Sequence, residues 1–343
     1  MEYEKFKEQF VEDLKERLQA GGGEYLVEPH EVQKMNQTYE AVTIKPQEAT
    51  IGVNLNLTEI HERYEGGMSY DSLVNEVADR ADRALHDRPD FNLEELKDYD
   101  RMKEKLSMEV VSSVRNAELL KGVPHRNIED MAVVYRFVLD IDKEGMGSIL
   151  VTNQLLDSYG ITPGQLHADA LQYAPVMRPA VIQTMAETLL EMMGPEAKDM
   201  IPVMPEDPLF VASVPDKTQG AGVIAYQDFM DQAAERVGGD FFILPSSIHE
   251  VLLVKDDGNV DINNLEGMVK EVNETQVAPE DVLTDSVYHY DSKEKLFELA
   301  GKYQERVNEK KRESTLDKLD ARKRKEPAHE KSTRPRSRGG EAL

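Results

Sequence analysis

The sequence predicts an α+β protein of two lobes, with mainly antiparallel sheets, helices packed on them and a disordered basic C-terminal tail. Three observations predict it. Segments with apolar residues on alternate positions are interleaved with segments of helical period. Neighbouring strand-like segments are separated by short turn-like stretches, which favours antiparallel pairing. At 343 residues the chain is also long enough for two cores.

Residues 2–19 place Phe6, Phe10, Leu14 and Leu18 four apart among charges, the pattern of an amphipathic helix, and Gly21-Gly22-Gly23 stops it. Residues 38–46 and 49–57 predict a hairpin. The second strand alternates Ile51, Val53, Leu55 and Leu57 against Gly52, Asn54 and Asn56. A short helix over Leu57–Tyr64 follows. Ser69 caps a stronger one through Leu85, whose stripe holds Leu73, Val74, Val77 and Ala81.

Residues 102–114 fit helix or strand, and their β-branched end favours strand. A short helix and turn lead to MAVVYRFVLDI (131–141), a near-continuous apolar run suited to a central strand. GMGSILVT (145–152) pairs with it across Asp142–Gly145. Thr152 and Thr162 open two helices, the second with Pro163 in its first turn. A third helix is expected over 180–194, and the proline-rich residues 195–208 form a surface loop.

A second α+β block begins at residue 208, in the order β-β-α-β-β-α-β-α. PLFVASVP and AGVIAYQ are its first two strands, DFFILP and IHEVLLVK a later pair. The last helix is expected to start at Ser292, with apolar positions thinning beyond about residue 310. The boundaries are thus an N-terminal lobe at 1–175, a helix and proline-rich connector at 176–208, a C-terminal lobe at 209–305 and a charged flexible tail at 306–343.

Charge divides unevenly. Residues 1–300 hold 27 Lys+Arg against 58 Asp+Glu, and residues 301–343 hold 14 against 8. An acidic body repels nucleic acid and anionic membranes, leaving weak nucleic-acid contact to the basic tail. The charged N-terminus lacks a signal-peptide core, and no apolar run reaches membrane-spanning length. The expected location is the cytoplasm. With no cysteine, disulfide and thiolate chemistry are excluded.

Of eight histidines, His30, His61, His249 and His329 precede glutamate. The positions four residues on are Lys34, Glu65, Leu253 and Thr333, so no HExxH zinc motif forms. P-loop, dinucleotide and GxSxG patterns are also missing, and no metal or cofactor is expected. DDGNVD (256–261) lacks the spacing of a calcium loop, because its twelfth position is Gly267; it reads as a turn that exposes its carboxylates.

LPSSIHEV is the densest polar cluster in an apolar setting. Pro245 ends one strand and a serine closes the turn. Ser246, Ser247 and His249 are candidate binding groups. Ser247, His249 and Glu250, with His125 from the other lobe, are the candidate catalytic set, provided the two histidines converge.

The segments TYEAVTIKP with IGVNLNL, ELLKGVPHRNIEDMAVVYRFVL, GSILVTNQLLDSYGIT and FFILPSSIHEVLLVKDDG resemble an uncharacterised bacterial family. That family is found in gut anaerobes, including on mobile elements. The resemblance covers residues 2–305, and Val123-Pro124-His125 and Leu244 to Glu250 are its most specific pieces. It implies one folded unit and no particular reaction. The leading expectation is therefore a non-enzymatic binding or accessory protein with an unidentified protein partner. The alternatives are a hydrolase built on LPSSIHE and an acidic DNA mimic.

Overall fold

A computed structural model describes residues 1–20, 24–34, 36–47, 52–86, 94–141, 146–194, 209–245 and 247–325. The expected glycine stop at 21–23, the 142–145 turn, the 195–208 loop, Ser246 and the end of the tail lie outside these residues.

The first unit contains α1 (Tyr3–Ala20), β1 (Tyr25–Lys34), β2 (Gln37–Pro46), β3 (Val53–Asn56), α2 (Leu57–Glu65) and α3 (Tyr70–His86). Its sheet runs β1-β2-β3, all antiparallel. The predicted hairpin is the β2–β3 pair, with Ile44 opposite Val53. Residues 25–34, in which no strand is expected, pair with β2 along ten positions. Pro29 and the charges around it hide the pattern. An edge strand tolerates both, because one side of its backbone ladder faces no partner. The α1 stripe Phe6, Phe10, Leu14 and Leu18 and the α3 residues Leu73, Val77 and Ala81 close one core with Val42, Ile44 and Leu55. His61 is a member of this apolar wall, edge-on to Tyr3 and Phe6.

The body starts with α4 (Tyr99–Met102), β4 (Leu106–Ser112), α5 (Ala117–Gly122), β5 (Arg126–Ile128), β6 (Met131–Ile141) and β7 (Met146–Leu150). As expected, β6 is central: β4 flanks one side, β5 and β7 the other, all antiparallel. Helices α6 (Asn153–Tyr159) and α7 (Pro163–Met177) start where predicted. The Thr152 and Thr162 hydroxyls accept from the backbone N–H groups of Leu155 and Gln165.

The helix expected over 180–194 divides in two. Val181–Thr184 is a strand, β8, and α8 (Met185–Met193) begins after it. Thr184 and Glu187 form a reciprocal capping box that starts the helix there, while β-branched Val181 and Ile182 suit the strand.

The remaining elements are β9 (Leu209–Ser213), α9 (Phe229–Val237), β10 (Phe241–Leu244), β11 (Val251–Lys255), α10 (Ile262–Thr275), β12 (Tyr288–Asp291), β13 (Leu296–Leu299) and α11 (Ala300–Lys325). They build an antiparallel sheet in the order β13-β12-β10-β11-β9-β8. AGVIAYQ is not a strand: residues 220–225 form a buried 3-10 turn. A Cβ on Gly222 would overlap the Met108 carbonyl, so only glycine lets this turn lie on β4. β13 occupies residues expected to be helical, and α11 runs on well past residue 310. The α+β class with antiparallel sheets holds throughout.

One large core draws on both sides of residues 176–208. It joins Met108, Val133, Tyr135 and Phe137 to Phe210, Phe241, Ile243 and Tyr288. Asp130, in the β5–β6 turn, ties the two sheets with hydrogen bonds from Thr284, Ser286 and Tyr288. The first unit docks through Asn36, held at φ 62° in the β1–β2 turn. Asn36 N–H donates to Asn116 Oδ1 (2.7 Å), the Asn116 amide returns a bond to Asn36 Oδ1 (2.8 Å), and Asn36 Nδ2 donates to the carbonyls of Glu280 and Val282. Among the described residues, no helix is long and apolar enough to cross a membrane.

Candidate functional site

Pro245 ends β10, and a corner over residues 247–250 leads into β11, which begins at Val251, inside the expected strand IHEVLLVK. Within the corner, the Ser247 hydroxyl accepts from the His249 backbone N–H (3.0 Å). This serine-closed turn was expected. The His249 ring then engages two other segments. Its Nδ1 accepts from the Gln219 backbone N–H (3.1 Å), and its Nε2 lies 3.3 Å from Asp281 Oδ1. An acceptor at Nδ1 places the ring proton on Nε2, aimed at Asp281. Both ring nitrogens are occupied.

The corner's backbone is held equally. The Ile248 N–H donates to the Asp281 carbonyl and the Ile248 carbonyl accepts from Ala221. The His249 carbonyl accepts from the Ser213 hydroxyl (2.7 Å). Glu250 is half-buried at the entry to β11. His125 is exposed, and its Nδ1 is 3.0 Å from the Val123 carbonyl in its own loop. Ser247 and His249 are thus brought together. Among the described residues no hydrogen bond joins His125 to either.

Behind the corner lies a group that the sequence reading missed. Glu109 on β4 is almost fully buried. Arg136 on β6 donates to its Oε2 through Nε (2.7 Å) and to Ser148 through Nη1. With its amide nitrogen turned toward the carboxylate, Gln219 donates to Glu109 as well. Gln219 therefore bridges the His249 ring, through its main chain, to Glu109, through its side chain. Burial pushes the Glu109 carboxyl above the usual range, against the pull of Arg136 and Arg178. Arg178, also buried, donates to Asp216 Oδ1 (2.6 Å) and the Thr218 carbonyl, which fixes the loop that carries Gln219. The signal for this group was a charge in the middle of each of two apolar strands, Glu109 and Arg136.

A second buried group surrounds Asp256. The DDG turn does not expose this carboxylate: His289 Nε2 lies 3.1 Å from Asp256 Oδ2, and the Tyr303 hydroxyl donates to the same oxygen (2.9 Å). The His289 and Tyr303 rings stack 3.5 Å apart, which fastens the start of α11 to β12. Hydrogen bonding to His289 is the main influence holding the Asp256 carboxyl below the ordinary range, opposed by burial and aided by Gly258 and Tyr303.

A family of unknown function, DUF5688, matches residues 3–292, and the chain belongs to that family. The match covers most of the span of the resemblance drawn from the sequence. No curated protein and no solved structure matches the chain.

Proposed function

We propose that the protein is a non-enzymatic binding or accessory protein of the bacterial cytoplasm, serving a protein partner and linked to mobile elements. One observation carries this reading. In the densest polar cluster, Ser247 holds the His249 backbone N–H, His249 Nδ1 holds the Gln219 backbone N–H, and His249 Nε2 faces the Asp281 carboxylate, so these groups tie three segments together. A general base needs a nitrogen free to take a proton from its nucleophile, and a nucleophilic serine needs to donate to that base. His249 and Ser247 instead act as a structural lock.

The exposed part of α11 supports a partner. Tyr303 and Arg306 anchor the helix start, Arg306 through Asp291 and Glu298. From Asn308 to Leu316 every residue is exposed. A helix with no buried side gains nothing from the body's core, so its order depends on local pairs or on contact with another molecule. The resemblance to a family carried on mobile elements supports the accessory role.

The test uses the full chain and a chain ending at Glu313, which keeps the Tyr303 and Arg306 anchors, as baits in a bacterial lysate. The expected result is one protein retained in near-equal amount by the full chain and lost from the shorter one. Hydrolysis of chromogenic ester or phosphoester substrates that Ser247→Ala abolishes would overturn the reading in favour of the hydrolase alternative. The Asp281 carboxylate beside His249 is the one observation that favours that alternative.

A further inference from the structure

We infer that the cleft between the first unit and the body binds a small zwitterion, an amino acid or dipeptide, by its carboxylate and its ammonium group. The cleft holds about 270 Å³ between β2, β3, α2 and α3, with Glu280 of the body on its rim. At ~30 Å³ for each water-sized group, that admits a ligand of about nine non-hydrogen atoms. It is too small for a folded partner.

The charges lining the cleft are balanced. Lys34, Arg63 and Arg80 meet Glu59, Glu76 and Glu280. This is unusual for a chain with 41 Lys+Arg against 66 Asp+Glu. Arg63 and Glu76 neutralise each other, with Nη2 2.8 Å from both carboxylate oxygens. The other four remain available. Lys34 sits over the Tyr39 ring at 5.4 Å. Among the described residues, the side chains of Arg80, Glu59 and Glu280 form no hydrogen bond or ion pair. The amides of Asn54 and Asn56 add donors. Their oxygens already accept from the Thr43 hydroxyl and the Glu59 N–H, and their nitrogens have no partner among the described residues.

Free cations and amide donors suit a carboxylate, and free carboxylates suit an ammonium group. An isolated anion or cation would satisfy only half the cleft and meet repulsion from the other half. Asn36 holds the first unit on the body beside Glu280, so both halves are in place before a ligand arrives. Such preorganisation lowers the cost of binding.

Calorimetric titration of the full chain with glycylglycine tests this inference. Glycine, N-acetylglycylglycine, glycylglycinamide and inorganic phosphate are parallel arms. Millimolar or tighter binding of glycylglycine or glycine is expected, with either blocked form about tenfold or more weaker. Glycine binding alone assigns the site to free amino acids. Arg80→Ala and Glu280→Gln should each weaken binding about tenfold or more without moving the melting temperature, since both side chains are unpaired among the described residues. The inference is overturned by the absence of heat with glycylglycine and glycine, by equal binding of the blocked forms, by retained binding in Arg80→Ala, or by binding of phosphate alone.

Discussion

The His249 corner and the Arg80 cleft contain similar kinds of residue in opposite states. In the corner, serine, histidine, aspartate and glutamine hold one another and the backbone at hydrogen-bond distance, with buried Glu109 and its partly buried partner Arg136 behind them. In the cleft, a guanidinium and two carboxylates line one space and bond to nothing else among the described residues. Satisfied polar groups stabilise one arrangement, whereas unsatisfied ones are available to a ligand. The contrast separates what builds this protein from what remains for it to use.

The contrast is broken most severely at Glu109. Replacing it with alanine strands Arg136 and removes the acceptor of Gln219, and breaking a buried pair in this way costs about 3–5 kcal/mol. A denaturant-unfolding midpoint would show it, and a loss under ~1 kcal/mol would mean that the corner does not depend on the buried pair. Next is Gly222→Ala, whose methyl group meets the Met108 carbonyl. Overpacking of that kind costs about 1–3 kcal/mol, read in the same assay.

A pH series sharpens the comparison for paired charge elsewhere in the body. The Asp256 carboxyl lies below its ordinary value of about 3.9 in the folded chain. Its stabilising contribution is complete above that value and is lost as the pH falls through the lower folded value. Melting temperatures from neutral to strongly acidic pH should drop less steeply in Asp256→Asn than in the parent protein. The smallest effect belongs to Ser247→Ala, which removes one acceptor for the His249 N–H and should cost about 1 kcal/mol.

These two regions also differ in how far the sequence disclosed them. The corner was legible as a location, because Pro245 and the serines interrupt two apolar runs. Its bonding was not, because Gln219 and Asp281 approach from about thirty residues away on either side. Strand alternation showed β3, a near-continuous apolar run showed β6, and threonine caps showed α6 and α7. Edge strand β1 was hidden by Pro29, and β8 by an apolar run that also fits a helix. The Glu109–Arg136 bond needed the β4–β6 register, in which Glu109 faces Val134 and Arg136 faces Ser107. The cleft had no local signature, since its walls extend from Lys34 to Glu280 and meet only after folding.

The measurement that tests this division most directly is the glycylglycine titration repeated on His249→Ala and Arg80→Ala. Binding preserved in His249→Ala and lost in Arg80→Ala is the predicted result. Binding lost in His249→Ala and preserved in Arg80→Ala would contradict the assignment of structure to the corner and recognition to the cleft.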